Sequence, residues 1–302
     1  MMDHRPAPLD GLLAEVTQVV GKRALLLRHS RSGTGGLTPV LHRIVEFADG
    51  STGFLKAALP GTESAIRAEV AVYSLLGAKP FMPRLDGCDS GDQPWLVIEN
   101  LEDASWPPPW DLGQISIALA TLDQVHAAIA PSELPTLRKA LAIWSSWTQV
   151  ATNPEPFLSL ALCTSSWLER SLPTLLDASE RAILDGNELV HLDPAHNMCF
   201  RDQQTILLDW PKACRGNGLF DLHLLLPSLH AEGGPPPECL ARQGAAEHAA
   251  WLSGHWASQA AAAADTPLLR GIRQSQLEQL RIALPWAARE LGLEPLAPHL
   301  GS

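Results

Sequence analysis

One stretch limits the possible folds more than any other: residues 188–221, ELVHLDPAHNMCFRDQQTILLDWPKACRGNGLFD. His191, Asp193 and Asn197 cluster near its start. A short polar turn (Asp202, Gln203, Gln204) precedes an apolar run (Ile206, Leu207, Leu208) that ends in Asp209, and Asp221 opens a further apolar segment. Apolar runs this short, bounded by polar turns, read as buried strands. Two carboxylates and an amide at strand ends collect hard oxygen ligands of the kind that hold Mg²⁺ on a phosphate. A neighbouring Asp can take a proton from an attacking hydroxyl. These parts suit phosphoryl transfer, where positioning and charge neutralisation supply most of the catalysis. A lone Asp at a strand end is ordinarily a turn or capping residue. The ordered set His-x-Asp, Asn, Asp-Trp, Asp is what gives this stretch its weight.

The chain around it has ample material for a core. Its 302 residues are 46% hydrophobic with mean hydropathy near zero, which fits one large domain or two lobes. A net charge of −11 gives no electrostatic footprint for nucleic acid. Cys88, Cys163, Cys199, Cys214 and Cys239 are scattered, with no Cys-x-x-Cys pair. Neither a zinc site nor a disulfide framework is expected, and a reducing cytoplasm fits. The N-terminal MMDHRPAPLD lacks the cationic start and apolar core of a signal peptide. No uninterrupted apolar run reaches membrane-spanning length, so no membrane partner is expected. The alanine tract at 260–264 reads as helix filler. The histidines at 126, 223, 230, 248, 255 and 299 have no metal-ligand spacing and read as structural or exposed. The tryptophans at 144, 147, 167, 251, 256 and 286 read as packing residues.

In chain order, residues up to about 20 form a helix or irregular lead-in with Leu12, Leu13, Val16 and Val19 on one side. Residues 22–29 read as a strand, 30–38 as a glycine-rich loop and 40–47 as a second strand. Ala48-Asp49-Gly50 is a hairpin turn signal, and strand 52–57 carries Lys56 in an apolar setting. Strand, glycine-rich loop, strand is a way to cover phosphates, since glycines let backbone N–H groups approach anionic oxygens. No Gly-Lys-Ser/Thr closes the loop, so it is not a Walker motif. Residues 63–76 form an amphipathic helix with Ile66, Val70, Tyr73 and Leu76 on one face and Thr62 as N-cap. Glu69 lies thirteen residues after Lys56, and a strand lysine paired with a helix glutamate aims its ammonium at phosphate oxygens. Strands at 82–88 and 95–99 complete a five-stranded sheet with one helix, and the backbone at Glu99 and Leu101 offers an edge for a nucleotide base. Trp106-Pro107-Pro108-Pro109-Trp110 ends the connection that follows. From residue 112 the spacing is helical, over 114–129, 141–150, 157–172, 175–184, 222–229, 239–263 and 267–291.

Together these residues resemble the aminoglycoside phosphotransferase family, small-molecule relatives of the eukaryotic protein kinases, over nearly the whole chain. The resemblance implies an α+β, bilobal protein-kinase-like fold. Residues 1–99 would form a nucleotide-binding lobe with a five-stranded antiparallel sheet plus helix. Residues 100–302 would form a larger, mainly helical lobe with the catalytic loop and acceptor site. It implies Lys56 as the nucleotide-phosphate lysine, Glu69 as its helix partner, and Asp193 of His191-Leu192-Asp193 as the catalytic base. Asn197 and Asp209 would hold Mg²⁺, with His191 and Asp221 as structural support. Ser32, Gly33, Thr34, Gly35 and Gly36 would cover the phosphates of ATP or GTP, with Glu99 and Leu101 at its base. The expected partner is a small acceptor with a hydroxyl. Residues 110–302 carry twelve basic against twenty acidic side chains, which admits a cationic acceptor such as an aminoglycoside or amino alcohol. Two departures stand out. Only Pro194, Ala195 and His196 separate Asp193 from Asn197, one residue fewer than the family's usual spacing. One residue of backbone spans roughly 3.3–3.6 Å, comparable to a ligand's whole reach. Leu192 stands where these enzymes commonly have glycine. The shorter loop raises an alternative, a pseudokinase or nucleotide-binding interaction module with an altered metal site. The Gly-x-Ser-x-Gly and His-Glu-x-x-His motifs of hydrolases and metalloproteases are absent.

Overall fold

Alternation along the early strands sorts side chains onto two faces of one sheet, and that sheet organises the first of two units in a computed structural model. The structure describes residues 9–29, 40–144 and 146–296; Ser32, Gly33, Thr34, Gly35 and Gly36 lie outside them. The first unit comprises residues 1–107 and 196–213, the second 108–195 and 214–302. In chain order the first contains α1 (Leu9–Val20), β1 (Ala24–Arg28), β2 (Leu41–Phe47), β3 (Thr52–Ala57), α2 (Glu63–Leu76), β4 (Leu85–Asp89) and β5 (Trp95–Glu99). The sheet is antiparallel throughout, in the order β1-β2-β3-β5-β4.

Val45, Phe47, Leu55, Ala57, Trp95 and Val97 form one sheet face, packed with Leu12, Leu13, Val16 and Val20 of α1. The lead-in is thus a helix, and it packs on the sheet, for which the sequence suggests α2 alone. Val19, which the spacing put on the buried side, is exposed, and Val20 takes that place. In α2 the expected Ile66, Val70, Tyr73 and Leu76 are buried, and so is Glu69. Thr62 does not cap the helix with its side chain. Its hydroxyl accepts from the Leu59 N–H and donates to the Leu59 carbonyl, which closes a local turn instead.

Beyond Pro107 follow α3 (Leu112–Ala127), α4 (Leu137–Ala140), α5 (Trp147–Thr152), α6 (Glu155–Leu158), α7 (Ser165–Glu180) and β6 (Glu188–Val190). The hairpin β7 (Met198–Arg201) and β8 (Gln204–Leu207) returns to the first unit. Then β9 (Cys214–Gly216), α8 (Leu219–Ala231), α9 (Ala245–Ala260) and α10 (Pro267–Glu290) complete the second.

Helix α3 opens on a capping box between Asp111 and Gln114. It ends at Ala127, short of the expected 129, because the next residues pair with β6: Ile129 bridges Glu188, and the Ala128 carbonyl accepts the Leu189 N–H. The segment 141–150 is not one helix but a 3₁₀ turn at Leu141–Ile143 and then α5, which Ser146 caps. Conversely, α7 runs unbroken through Pro173, where the sequence suggested two helices. An interior proline costs a helix ~3 kcal/mol or more. Burial of Trp167, Leu168, Ser171, Leu175 and Ala178 along one stripe, on both sides of the proline, offsets that cost. The helix expected over 239–263 begins only after Gly244, whose φ of 82° is left-handed, and it ends at Ala260. The alanine tract is thus a turn rather than filler. The chain reverses there so that α10 can start at the Thr266 cap and lie along α9.

Candidate active site

The β7–β8 hairpin sets the geometry of the motif region. Asp202 and Gln203 both take positive φ, 51° and 62°, as a tight turn with primed geometry requires. The register pairs Met198 with Leu207 and Arg201 with Gln204. One step beyond the ladder, the Asn197 carbonyl accepts the Leu208 N–H at 2.9 Å. Asn197 and Asp209 therefore stand at the same open end of the hairpin.

Four ties hold this hairpin to the sheet unit. Phe200 and Ser105 exchange backbone hydrogen bonds of 2.8 and 2.9 Å, and the Leu207 N–H donates to the Phe81 carbonyl at 2.9 Å. Arg201 reaches the Glu99 carboxylate at 2.5 Å, and the Trp210 ring lies 5.8 Å from Phe81. Arg201 was not singled out from the sequence. It shares no motif with Glu99 and lies 102 positions away.

Lys56 is the centre of this unit's polar site. Its Nζ donates to both carboxylate oxygens of Glu69, at 3.0 and 2.9 Å, and to Asp209 Oδ1 at 2.8 Å. The three ammonium hydrogens are thereby all used. Glu69 is only 2% exposed, so its carboxylate is buried together with the ammonium it pairs with. Burial works against the Lys56 charge, but Glu69 and then Asp209 outweigh it and hold the ammonium above its ordinary pKa. Burial also pushes Glu69 upward against the pull of Lys56. The bidentate geometry identifies the pair as ammonium and carboxylate. Asp209, at φ 61°, is the open member, with 37% of its side chain exposed.

Glu99 is tied by its side chain. Its carboxylate accepts the Arg84 N–H at 2.9 Å as well as Arg201, and together they hold it below the usual carboxylate range despite burial. The Leu101 carbonyl is occupied by the Ala104 N–H and the Trp106 indole at 3.1 and 3.2 Å, and its side chain packs with Cys199 and Ile206.

In the second unit, Asp221 is fully buried beneath the His191–Asp193 loop. It accepts the backbone N–H of His191 at 2.6 Å and of Leu192 at 2.7 Å. His191 Nδ1 accepts the Asp193 N–H at 3.2 Å. Leu192 has φ 65°, so the position where the resemblance leads one to expect glycine is a left-handed one. The two backbone hydrogen bonds donated to Asp221 hold it there against a cost of roughly 1–2 kcal/mol. His126, read from sequence as structural or exposed, lies 3.4 Å from the same carboxylate. It fits because residue 218 is glycine; a methyl there would run into the His126 ring. The structure thus gathers Lys56, Glu69, Asn197 and Asp209 in one unit and His191, Asp193 and Asp221 in the other.

Among the described residues no group of three His, Cys, Asp or Glu side chains could hold a metal ion. Mg²⁺ usually takes one or two carboxylates and relies on phosphate oxygens and water for the rest. Asp209 and Asn197, at one end of the hairpin, could contribute a carboxylate and an amide to such a site. Burial pushes the Cys163 and Cys199 thiols up, to about 11 and about 12, so neither is a nucleophile at neutral pH. No helix among the described residues is long and apolar enough to cross a membrane.

No family model and no curated protein matches the sequence. Solved structures do. An aminoglycoside phosphotransferase from Alicyclobacillus acidocaldarius has TM-score 0.54 and 14% identity, covering 96% of this chain and 96% of that one. A candidate fructosamine-3-kinase from Thermobifida fusca has TM-score 0.54 and 20% identity, covering 91% and 99%. The streptomycin-ATP-APH(2'')-IIa ternary complex has TM-score 0.51 and 13% identity, covering 92% and 97%. The chain therefore has the α+β, protein-kinase-like fold shared by aminoglycoside phosphotransferases and fructosamine-3-kinases.

Proposed function

We propose that this chain is a small-molecule kinase that transfers the γ-phosphate of ATP or GTP to a hydroxyl of a small acceptor. The observation that carries this reading is the buried Lys56–Glu69 pair with the open Asp209 carboxylate on its ammonium. Holding a lysine charged inside a protein is costly. A purely structural pair would not leave a third carboxylate half in solvent. Lys56 takes the nucleotide phosphates, and Glu69 keeps its ammonium charged and aimed. Asp209 and Asn197 would hold Mg²⁺, which when bound would neutralise charge on the triphosphate. The backbone at Glu99 and Leu101 borders the base; the glycine-rich loop that the sequence suggests as a phosphate cover, Ser32 to Gly36, lies outside the described residues.

Asp193 orients the acceptor hydroxyl and accepts its proton as the new P–O bond forms and the bond to the β-phosphate oxygen breaks. His191 and Asp221 fix the loop that carries it. For the acceptor we favour an amine-bearing polyol or amino alcohol, which the acidic balance of residues 110–302 would attract. The names of the similar folds, for aminoglycosides and fructosamines, support that choice. The free, mostly buried cysteines suit a reaction in the cytoplasm. The test is purified protein with Mg²⁺ and either ATP or GTP, against aminoglycosides, aminated sugars, amino alcohols, plain sugars and nucleosides, read by mass shift of the acceptor. Phosphorylation of an amine-bearing member supports the reading. Transfer to none, together with no nucleotide binding, overturns it.

A further inference from the structure

His42 has no role in the functions described above, yet it stands directly across the sheet from Lys56. The register of β2 and β3 pairs the two residues. In an antiparallel pair such residues share a face, with Cβ atoms roughly 4.5–5.5 Å apart. The opposite face is filled by the α1 cluster. On the shared face the His42 ring leans on Phe54, the diagonal neighbour, with centroids 5.4 Å apart and planes at 30°. Lys56 and Asp209 both act on the ring electrostatically. Among the described residues neither ring nitrogen has a hydrogen-bond partner, and the residue is only half-buried.

We propose that His42 is a nucleotide-positioning residue that donates a ring N–H to a phosphate oxygen beside the Lys56 ammonium. This rests on the reading of Lys56 as the phosphate-binding cation. The chemistry favours a neutral donor at this point. The ammonium has no hydrogen left over from its three carboxylate oxygens, so an anion arriving there gains from a second donor. A second cation half-buried at the same spot would repel Lys56. Burial, then the Lys56 charge, push the imidazole down to about 4, so at neutral pH it offers one N–H and no net charge. The Phe54 ring limits its rotation and keeps that N–H beside the lysine.

The test uses the full chain with Mg²⁺ and calorimetric titration of ATP, ADP and adenosine into wild type, His42→Phe and His42→Gln. Phenylalanine keeps the ring against Phe54 without a donor; glutamine restores an N–H. A hydrogen bond to an anion at a partly exposed site predicts ATP and ADP binding weaker by about 5- to 20-fold in His42→Phe, with adenosine unchanged. His42→Gln should stay within about threefold of wild type. Unchanged ATP affinity in His42→Phe, or equal losses for ATP and adenosine, overturns the assignment while leaving the Lys56 reading intact. Failure of wild type to bind ATP overturns both.

Discussion

Lys56 and Glu69 are each costly alone and tolerable together. Lys56→Ala leaves a fully buried carboxylate without its cation, and breaking a buried pair in this way destabilises by ~3–5 kcal/mol. The double variant Lys56→Met, Glu69→Leu removes both charges and recovers most of that loss, but not nucleotide affinity. Urea unfolding of the three proteins checks this; a double variant as unstable as Lys56→Ala would mean that the pair is not the source of the penalty. Asp221 has the corresponding role in the other unit. Asp221→Ala orphans the buried N–H groups of His191 and Leu192, and a buried unsatisfied group costs ~1–3 kcal/mol. Its unfolding free energy should fall by at least ~3 kcal/mol, since Leu192 also loses the support for its left-handed backbone. A loss below ~1 kcal/mol in urea melts would show that the loop is held by something else.

Helices α8 and α9 meet through His223 and His248, both fully buried, with Nδ1 atoms 2.7 Å apart. The surroundings fix every proton. The Arg242 N–H donates to His223 Nε2, so His223 donates from Nδ1 to His248, whose Nε2–H donates to the Ile183 carbonyl. No site remains for an added proton. Burial, then His248, pushes His223 down to about 3, and burial also lowers His248. A histidine depressed in the folded state binds protons more readily when unfolded. Its contribution is complete above the unfolded pKa near 6.5 and is lost as pH falls below it. Unfolding free energy should decline by up to ~1.4 kcal/mol per pH unit per histidine between pH 6.5 and 5, with His42 adding a smaller share. A flat urea midpoint over that window would contradict the neutral chain.

At this scale the sequence was legible wherever one local pattern decided the outcome. β3, α2 and β5 lie where period and turn signals put them, and α10 ends within a residue. It misled where distant packing overrode a local signal, at Pro173 inside α7 and at the alanine tract after α9.

At the scale of the whole molecule, the residues of the proposed reaction are divided between two units, with Asp193 in one and Lys56, Asn197 and Asp209 in the other. Asp193→Ala should therefore lower turnover by ~10²–10⁴-fold, the usual span for a general base. ATP affinity should stay within about twofold of wild type, because the phosphate-binding groups are untouched. Lost nucleotide affinity in that variant would refute the division of roles. The candidate motif residues stand out in the sequence because chemistry restricts their types and order. The pairs Arg201–Glu99 and His126–Asp221, and the placement of His42 beside Lys56, could not. Each depends on register or on contacts between residues far apart in the chain. Gly218 carries no motif and matters only because the His126 ring lies over it.

The most direct measurement is calorimetric titration of Mg²⁺-ATP into the wild-type chain and Lys56→Met. The account predicts saturable binding by wild type and at least about tenfold weaker binding by the variant, the loss of one charge-assisted contact. Wild type that binds no nucleotide, or a variant that binds as tightly, would contradict it.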